Sequence, residues 1–199
     1  MLATTAKEKP TQSDHFRSDS LNETGAPIET SIMSQYFELF QLPEQFDINL
    51  DMLTQRYHAL AAQCHPDKFA HQSAFEQKQA MMMATTVNEA YRTLKSPLDR
   101  AAYLLQQQGI AADAPEHTHF APEFLMQQME WRECLEEGQL AHDETVLTNL
   151  STEIDDAQAA LEHTLAAALG EQSWEEAAEL VRQGRFLSKL HHEIQAALP

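Results

Sequence analysis

Among the residues of this chain that could do chemistry, His65-Pro66-Asp67 is the most informative set. The imidazole can donate or accept a hydrogen bond and the carboxylate accepts. The proline between them fixes its own φ, so both groups are displayed on a stiffened backbone. Such a pair suits proton transfer in a small hydrolase, or hydrogen bonding to a cationic group on another protein. The hydrolase reading lacks a nucleophile, because no serine or cysteine stands in a recognisable triad motif. Cys64 adjoins His65 but falls on the apolar face of the preceding helix, so it reads as a buried packing residue. Taken alone, the tripeptide is a turn, since proline and aspartate both favour one.

Metal chemistry has weaker candidates. His117-Thr118-His119 and His191-His192 could hold an ion, but no acidic or cysteine set at ligand spacing accompanies either. Met81-Met82-Met83 resembles a soft-metal tract, although Met83 is expected on a helix core face. The two cysteines, Cys64 and Cys134, form no CxxC and suggest neither a zinc site nor a disulfide framework. No cofactor is expected.

Helices must position the tripeptide. Ser34 can cap a short first helix carrying Tyr36, Phe37, Leu39 and Phe40. Asn49 can cap a second, whose Leu53, Tyr57, Leu60 and Cys64 step by four, three and four along one face. Pro66 ends it. A third runs from about Ser73 to Leu94, with Met83, Val87, Ala90, Tyr91 and Leu94 on one face. A short fourth spans Asp99 to Gln107 behind Ser96-Pro97, and Gly109 stops it. Residues 1–32 lack periodic apolar positions and read as a disordered tail. Residues 110–121 read as a linker.

Beyond the linker the spacing predicts three more helices. The first spans Pro122 to about Glu137, with Phe124, Leu125, Met129 and Leu135. The second spans roughly Asp143 to Leu169 and is terminated by Gly170. The third opens at Ser173, in a capping box with Glu176, and contains Gly184, which costs about 1 kcal/mol relative to alanine and so suggests close packing. No strand-like alternation occurs. The fold class is therefore all-α, with the last three helices paired as an antiparallel bundle.

The net charge of −18 is uneven: residues 114–199 hold 4 basic and 17 acidic side chains. Such a surface repels phosphate backbones and anionic lipid, which argues against nucleic-acid or membrane binding and favours a partner with a basic patch. No apolar run reaches the length of a membrane span, and Met1 to Lys9 has no signal-peptide pattern, so a cytoplasmic protein is expected.

Several blocks then carry a resemblance. Tyr57, Leu60, the His65-Pro66-Asp67-Lys68 turn, Val87-Asn88-Glu89-Ala90-Tyr91-Arg92-Thr93-Leu94 and Ser96-Pro97-Leu98-Asp99-Arg100-Ala101 resemble a J-domain. The opening Tyr36-Phe37-Glu38-Leu39-Phe40 is similar to the J-type co-chaperones of iron–sulfur cluster assembly, the HscB family. So are the run YRTLKSPLDRAAYLL and the segments FLMQQMEWRE and VRQGRFLSKL, so the resemblance covers about residues 33–199. It implies a J-domain over 33–109 and a C-terminal three-helix domain over 122–199. It further implies a non-enzymatic co-chaperone, and a monomer is expected. The J-domain would stimulate the ATPase of an HscA/DnaK-type chaperone, and the C-terminal domain would deliver the cluster scaffold protein, of IscU type. The chaperone-binding residues would be His65, Pro66, Asp67, Lys68 and Arg56.

For the scaffold the resemblance points to Leu125, Met126, Met129, Glu130 and Glu133, with Phe186 from the last helix. Positions 126, 129, 130 and 133 do share one helix face. That face is either a recognition patch or, for Leu125 and Met129, bundle core with a solvated acidic rim. Two features depart from the family pattern: the second helix has few basic residues, and Cys64 stands where an aromatic is usual, implying a small packing change. A J-protein with another client, a small hydrolase using His65 and Asp67, and a purely structural adaptor remain as rival readings.

Overall fold

The computed structural model describes residues 35–114 and 120–199. The expected tail, the Ser34 cap and the His117/His119 pair lie outside these residues. Among the described residues there is no strand, and the helices run in order α1 (Gln35–Leu39), α2 (Leu50–Gln63), α3 (Ala74–Lys95), α4 (Pro97–Gln107), α5 (Pro122–Ala141), α6 (Glu144–Gly170) and α7 (Trp174–Ala197). A 3-10 turn, Pro66–Phe69, separates α2 from α3. No described helix is long and apolar enough to cross a membrane.

The helix starts follow from local chemistry. Asn49 accepts from the Met52 N–H at 2.8 Å, as its cap position requires. Ser73 and Glu76 form a full reciprocal capping box at the head of α3. Ser96 accepts from the Asp99 N–H, and α4 begins at Pro97, two residues earlier than the sequence suggests. Gly109 takes φ +77 just past α4, a geometry that favours glycine.

Three helix ends differ in detail from the expectation. Ser173 makes no side-chain cap. Its N–H is already given to the Ala168 carbonyl at 2.8 Å, in the turn that closes α6, so Glu176 cannot complete the box. Helix α6 does end at Gly170, but Gly170 is its last helical residue and not a left-handed cap; Gln172 takes the positive φ instead. Helix α5 runs past Glu137 to Ala141, and Gly138 lies close against α6: a Cβ there would sit 2.8 Å from Leu147 Cδ2.

Phe37, Phe40, Leu42, Leu53, Val87, Ala90 and Leu94 form the core that joins α1, α2 and α3. Tyr57 stacks on Tyr91 at 4.0 Å and bonds Asn88 at 3.0 Å. Among the described residues no third helix covers the far end of the α2–α3 hairpin. Met83 is therefore exposed and Cys64 only half-buried, although both lie in phase with the core face.

The α6–α7 hairpin is longer than either neighbour that covers it. Its one end packs on α5 through Trp131, Leu135, Leu150, Ile154, Leu187 and Leu190. Its other end packs on α4, where Ala101 and Leu105 meet Leu165, Leu169, Ala177 and Val181. Leu98 belongs to both groups. The stretch after Gly109 is tied down as well: Ala112 is buried, and Arg185 bridges Asp113 and Asp99 at 3.0 and 2.6 Å. Burial works against the Arg185 charge, but the bonds to Asp113 and Asp99 outweigh it and raise its pKa. The chain changes character at residue 109 while the packing continues across it.

Candidate functional site: an exposed turn and an apolar–acidic helix face

His65 has φ −59 and ψ 128, the extended backbone that a following proline imposes. Its carbonyl accepts from the Lys68 N–H at 3.0 Å, closing the 3-10 turn. Its Nδ1 faces the Asp67 N–H at 3.4 Å and the Asp67 carboxylate at 3.6 Å. These contacts are loose, and both side chains face solvent, with 59% and 91% of their surface exposed. A pair so displayed is available to another molecule. Lys68 is exposed beside it.

Arg56 is placed elsewhere. It sits in the second turn of α2, and its guanidinium donates to the Phe40 carbonyl at 2.5 Å and to the Gln41 carbonyl. These oxygens close α1, where Gln41 takes a positive φ. More than two helical turns separate it from His65. Beside the turn the structure adds an open apolar groove of about 740 Å3, walled by Cys64, Phe69, Met82 and Met83. The methionine run signals it in the sequence, but it is a surface because no third helix among the described residues covers it.

The second site is on α5. Leu125, Met126 and Met129 are exposed, the last two by 64% each. They are not bundle core, because α5 turns Trp131, Leu135 and Gly138 toward α6 and α7. Leu125, Met129, Glu133 and Phe186 meet around one open cavity of about 490 Å3. Met126 and Glu130 are exposed on α5 but lie outside that lining. Gln128 and Arg132 complete the wall, and neither is singled out by the sequence.

Phe186 is held on several sides. Phe124 meets it edge-on at 5.9 Å, Trp131 stacks at 6.5 Å, and the Arg132 guanidinium lies 5.6 Å from its centroid. Arg132 is itself bonded to Glu193 at 2.5 Å, and Trp131 Nε1 donates to Glu153 at 2.7 Å. The result is a fixed aromatic floor: Phe186 has little side-chain entropy left to lose on binding. Behind it, burial and the Glu137 and Glu153 carboxylates push the Cys134 thiol up, away from the reactive thiolate. Among the described residues no cluster of His, Cys, Asp and Glu could hold a metal ion.

Comparison with known proteins gives two family matches: the DnaJ domain over residues 35–103, and the HSCB C-terminal oligomerisation domain over residues 120–195. The "Co-chaperone protein HscB homolog" of Neisseria meningitidis serogroup C is 60% identical over 166 residues, spanning 83% of this chain and all of that protein. Chaperone HscB from Vibrio cholerae superposes with a TM-score of 0.72 at 38% identity, covering 81% of this chain and 95% of that one. Human co-chaperone protein HscB superposes with a TM-score of 0.77 at 27% identity, covering 96% and 93%.

Proposed function

The chain belongs to the HscB family of co-chaperones, and from that membership we propose that it couples a chaperone ATPase to one client. In this reading the region 33–109 is the J-domain. It docks on an HscA/DnaK-type chaperone through His65, Pro66, Asp67 and Lys68 and stimulates ATP hydrolysis. The region 122–199 holds the iron–sulfur scaffold protein, of IscU type, on Leu125, Met126, Met129, Glu130, Glu133 and Phe186. The loaded scaffold is thereby delivered to the chaperone for maturation of iron–sulfur proteins. The protein acts as a cytoplasmic monomer and performs no catalysis of its own. Arg56 contributes by fixing the α1–α2 corner rather than by reaching the chaperone.

The observation that carries this reading is the exposed face of α5. Three large apolar side chains stand in solvent there beside Glu130 and Glu133, over a fixed Phe186. Exposed apolar surface of this kind, rimmed by charge, is what a protein partner covers. The chaperone half rests on the exposed His65/Asp67 pair. To bias the chaperone toward hydrolysis, the turn must bind the hydrolysis-competent state more tightly than the other.

The test is an ATPase assay with the cognate chaperone, run with and without the scaffold. Stimulation by the co-chaperone alone, rising more than additively when scaffold is added, is the expected result. Stimulation that ignores the scaffold would favour a J-protein with another client. Turnover of a substrate by the isolated protein, lost in His65→Ala, would favour a hydrolase.

A further inference from the structure

The α5 face does not end at the cavity. Leu140, two residues before the helix turns into the α5–α6 corner, is 85% exposed, the most exposed large apolar side chain on α5. At 3.6 residues per turn Leu140 lies about 20° around the axis from Met129 and about 20° from Glu133. The packed side of α5, with Trp131, Leu135 and Gly138, lies roughly opposite, about 120–180° away. Leu140 is thus not the fringe of the core. It continues the stripe that begins at Leu125 and Met126.

Between Met129 and Leu140 the same side carries Glu130, Glu133, Glu136 and Glu137, all exposed. None of the four forms an ion pair among the described residues. The one cation on the helix, Arg132, is already engaged by Glu193. The face therefore has two apolar ends, about 16 Å apart by helical rise, with unneutralised negative charge between them.

The geometry points to a longer footprint for the protein partner: it runs the length of α5, with Leu140 as a second apolar anchor. The matching partner surface carries two apolar contacts separated by lysine or arginine side chains. This rests on the scaffold-binding reading above and extends it. Apolar anchors set how long the complex lasts, while the carboxylates steer a basic surface onto them.

Calorimetry of the full chain with the iron–sulfur scaffold protein tests it, using Leu140→Gln, Leu140→Met and Met129→Ala. Leu140→Gln is expected to weaken scaffold binding about tenfold and Leu140→Met hardly at all, with no change in Tm or in scaffold-free ATPase stimulation. Neutralising Glu136 and Glu137 to glutamine should flatten the salt dependence of association. If Met129→Ala weakens binding and Leu140→Gln does not, the footprint stops at the cavity and this inference is wrong while the site stands. If neither variant changes affinity, the site and the extension both fall. If Leu140→Gln instead converts a sedimenting dimer to monomer at unchanged scaffold affinity, the face belongs to a second copy of this chain and the inference is overturned.

Discussion

Gly184→Ala tests the packing that joins the two halves of the molecule. A Cβ at residue 184 would lie 2.5 Å from Leu98 Cδ2, 3.1 Å from Leu98 Cδ1 and 3.2 Å from Leu161 Cδ2. Leu98 is in the first turn of α4, so the clash falls on the contact between α4 and α7. Two effects oppose each other. Alanine gains about 1 kcal/mol of helix propensity over glycine, and overpacking a filled site costs about 1–3 kcal/mol. The single variant should then be less stable by about 1 kcal/mol. Leu98→Ala removes a partly buried side chain and costs about 2 kcal/mol, the low end for leucine truncation. In the double variant both Cδ atoms are gone, so most of the clash disappears while the propensity gain remains. Its loss should be about 1 kcal/mol, which makes the coupling about 2 kcal/mol. Urea unfolding of the four proteins measures this cycle. Additivity within about 0.5 kcal/mol would show that Gly184 and Leu98 do not press on each other and would refute the argument. Wild type should also unfold in a single transition; a separate early transition of the N-terminal half would contradict the shared core.

His65→Ala and Asp67→Ala are expected to abolish ATPase stimulation while leaving circular dichroism and Tm unchanged, since both side chains are exposed and loosely bonded; wild-type stimulation by His65→Ala would remove the turn from the mechanism. Met129→Ala combined with Glu130→Ala should weaken scaffold binding by tenfold or more without altering scaffold-free stimulation, as read by calorimetry and the ATPase assay, about 1.4 kcal/mol per factor of ten. Hydrogen bonds from the Ser73 hydroxyl and then its backbone N–H hold the Glu76 carboxyl below its ordinary value. A lowered folded pKa stabilises above the unfolded value and is lost as pH falls through the folded one. Ser73→Ala should therefore lower Tm at pH 7, with the gap to wild type narrowing on acidification below about pH 4.5; a gap that is the same at pH 7 and pH 3 would exclude the carboxylate from the cap.

What was legible in the sequence is what local chemistry decides alone. Asn49 and Pro66 set a helix start and a helix stop that no distant contact overrides. Ser73 and Ser173 show the limit, because both precede a glutamate by three residues and only Ser73 forms the box. The difference is the turn that ends α6, which claims the Ser173 N–H before α7 begins. Met83 and Leu125 show a second limit. Helical phase tells which side chains share a face but not whether another helix covers it. Met83 is in phase with Val87 and Leu94 yet exposed, and Leu125 and Met129 read equally well as core or as patch. Arg56 is a third case: a basic residue near the functional turn in sequence has its guanidinium on carbonyls that end α1. Gln128 and Arg132 belong to the cavity only because Phe186, more than fifty residues away, is brought beside them.

The same long-range packing bears on how the proposed function would work. Helix α3 has 22 residues, about 33 Å, with the His65-Pro66-Asp67 turn near one end and the junction to α4 at the other. One residue, Ser96, separates α3 from α4, and α4 is locked to α6 and α7 by Leu98, Ala101, Leu105 and the Asp99–Arg185 bridge. A client on α5 is therefore held on the same body as the turn. At Gly184 the Leu98 side chain of α4 packs directly on the backbone of α7. Signal passage from client to turn through a change inside this chain would need that packed interface to open. Any synergy between client and co-chaperone is more simply located on the chaperone, which meets both at positions this body fixes. Gly184→Ala should then impair the combined stimulation through the altered α4–α7 contact, and calorimetry of scaffold affinity alongside reports any disturbance of Phe186, two residues further along α7.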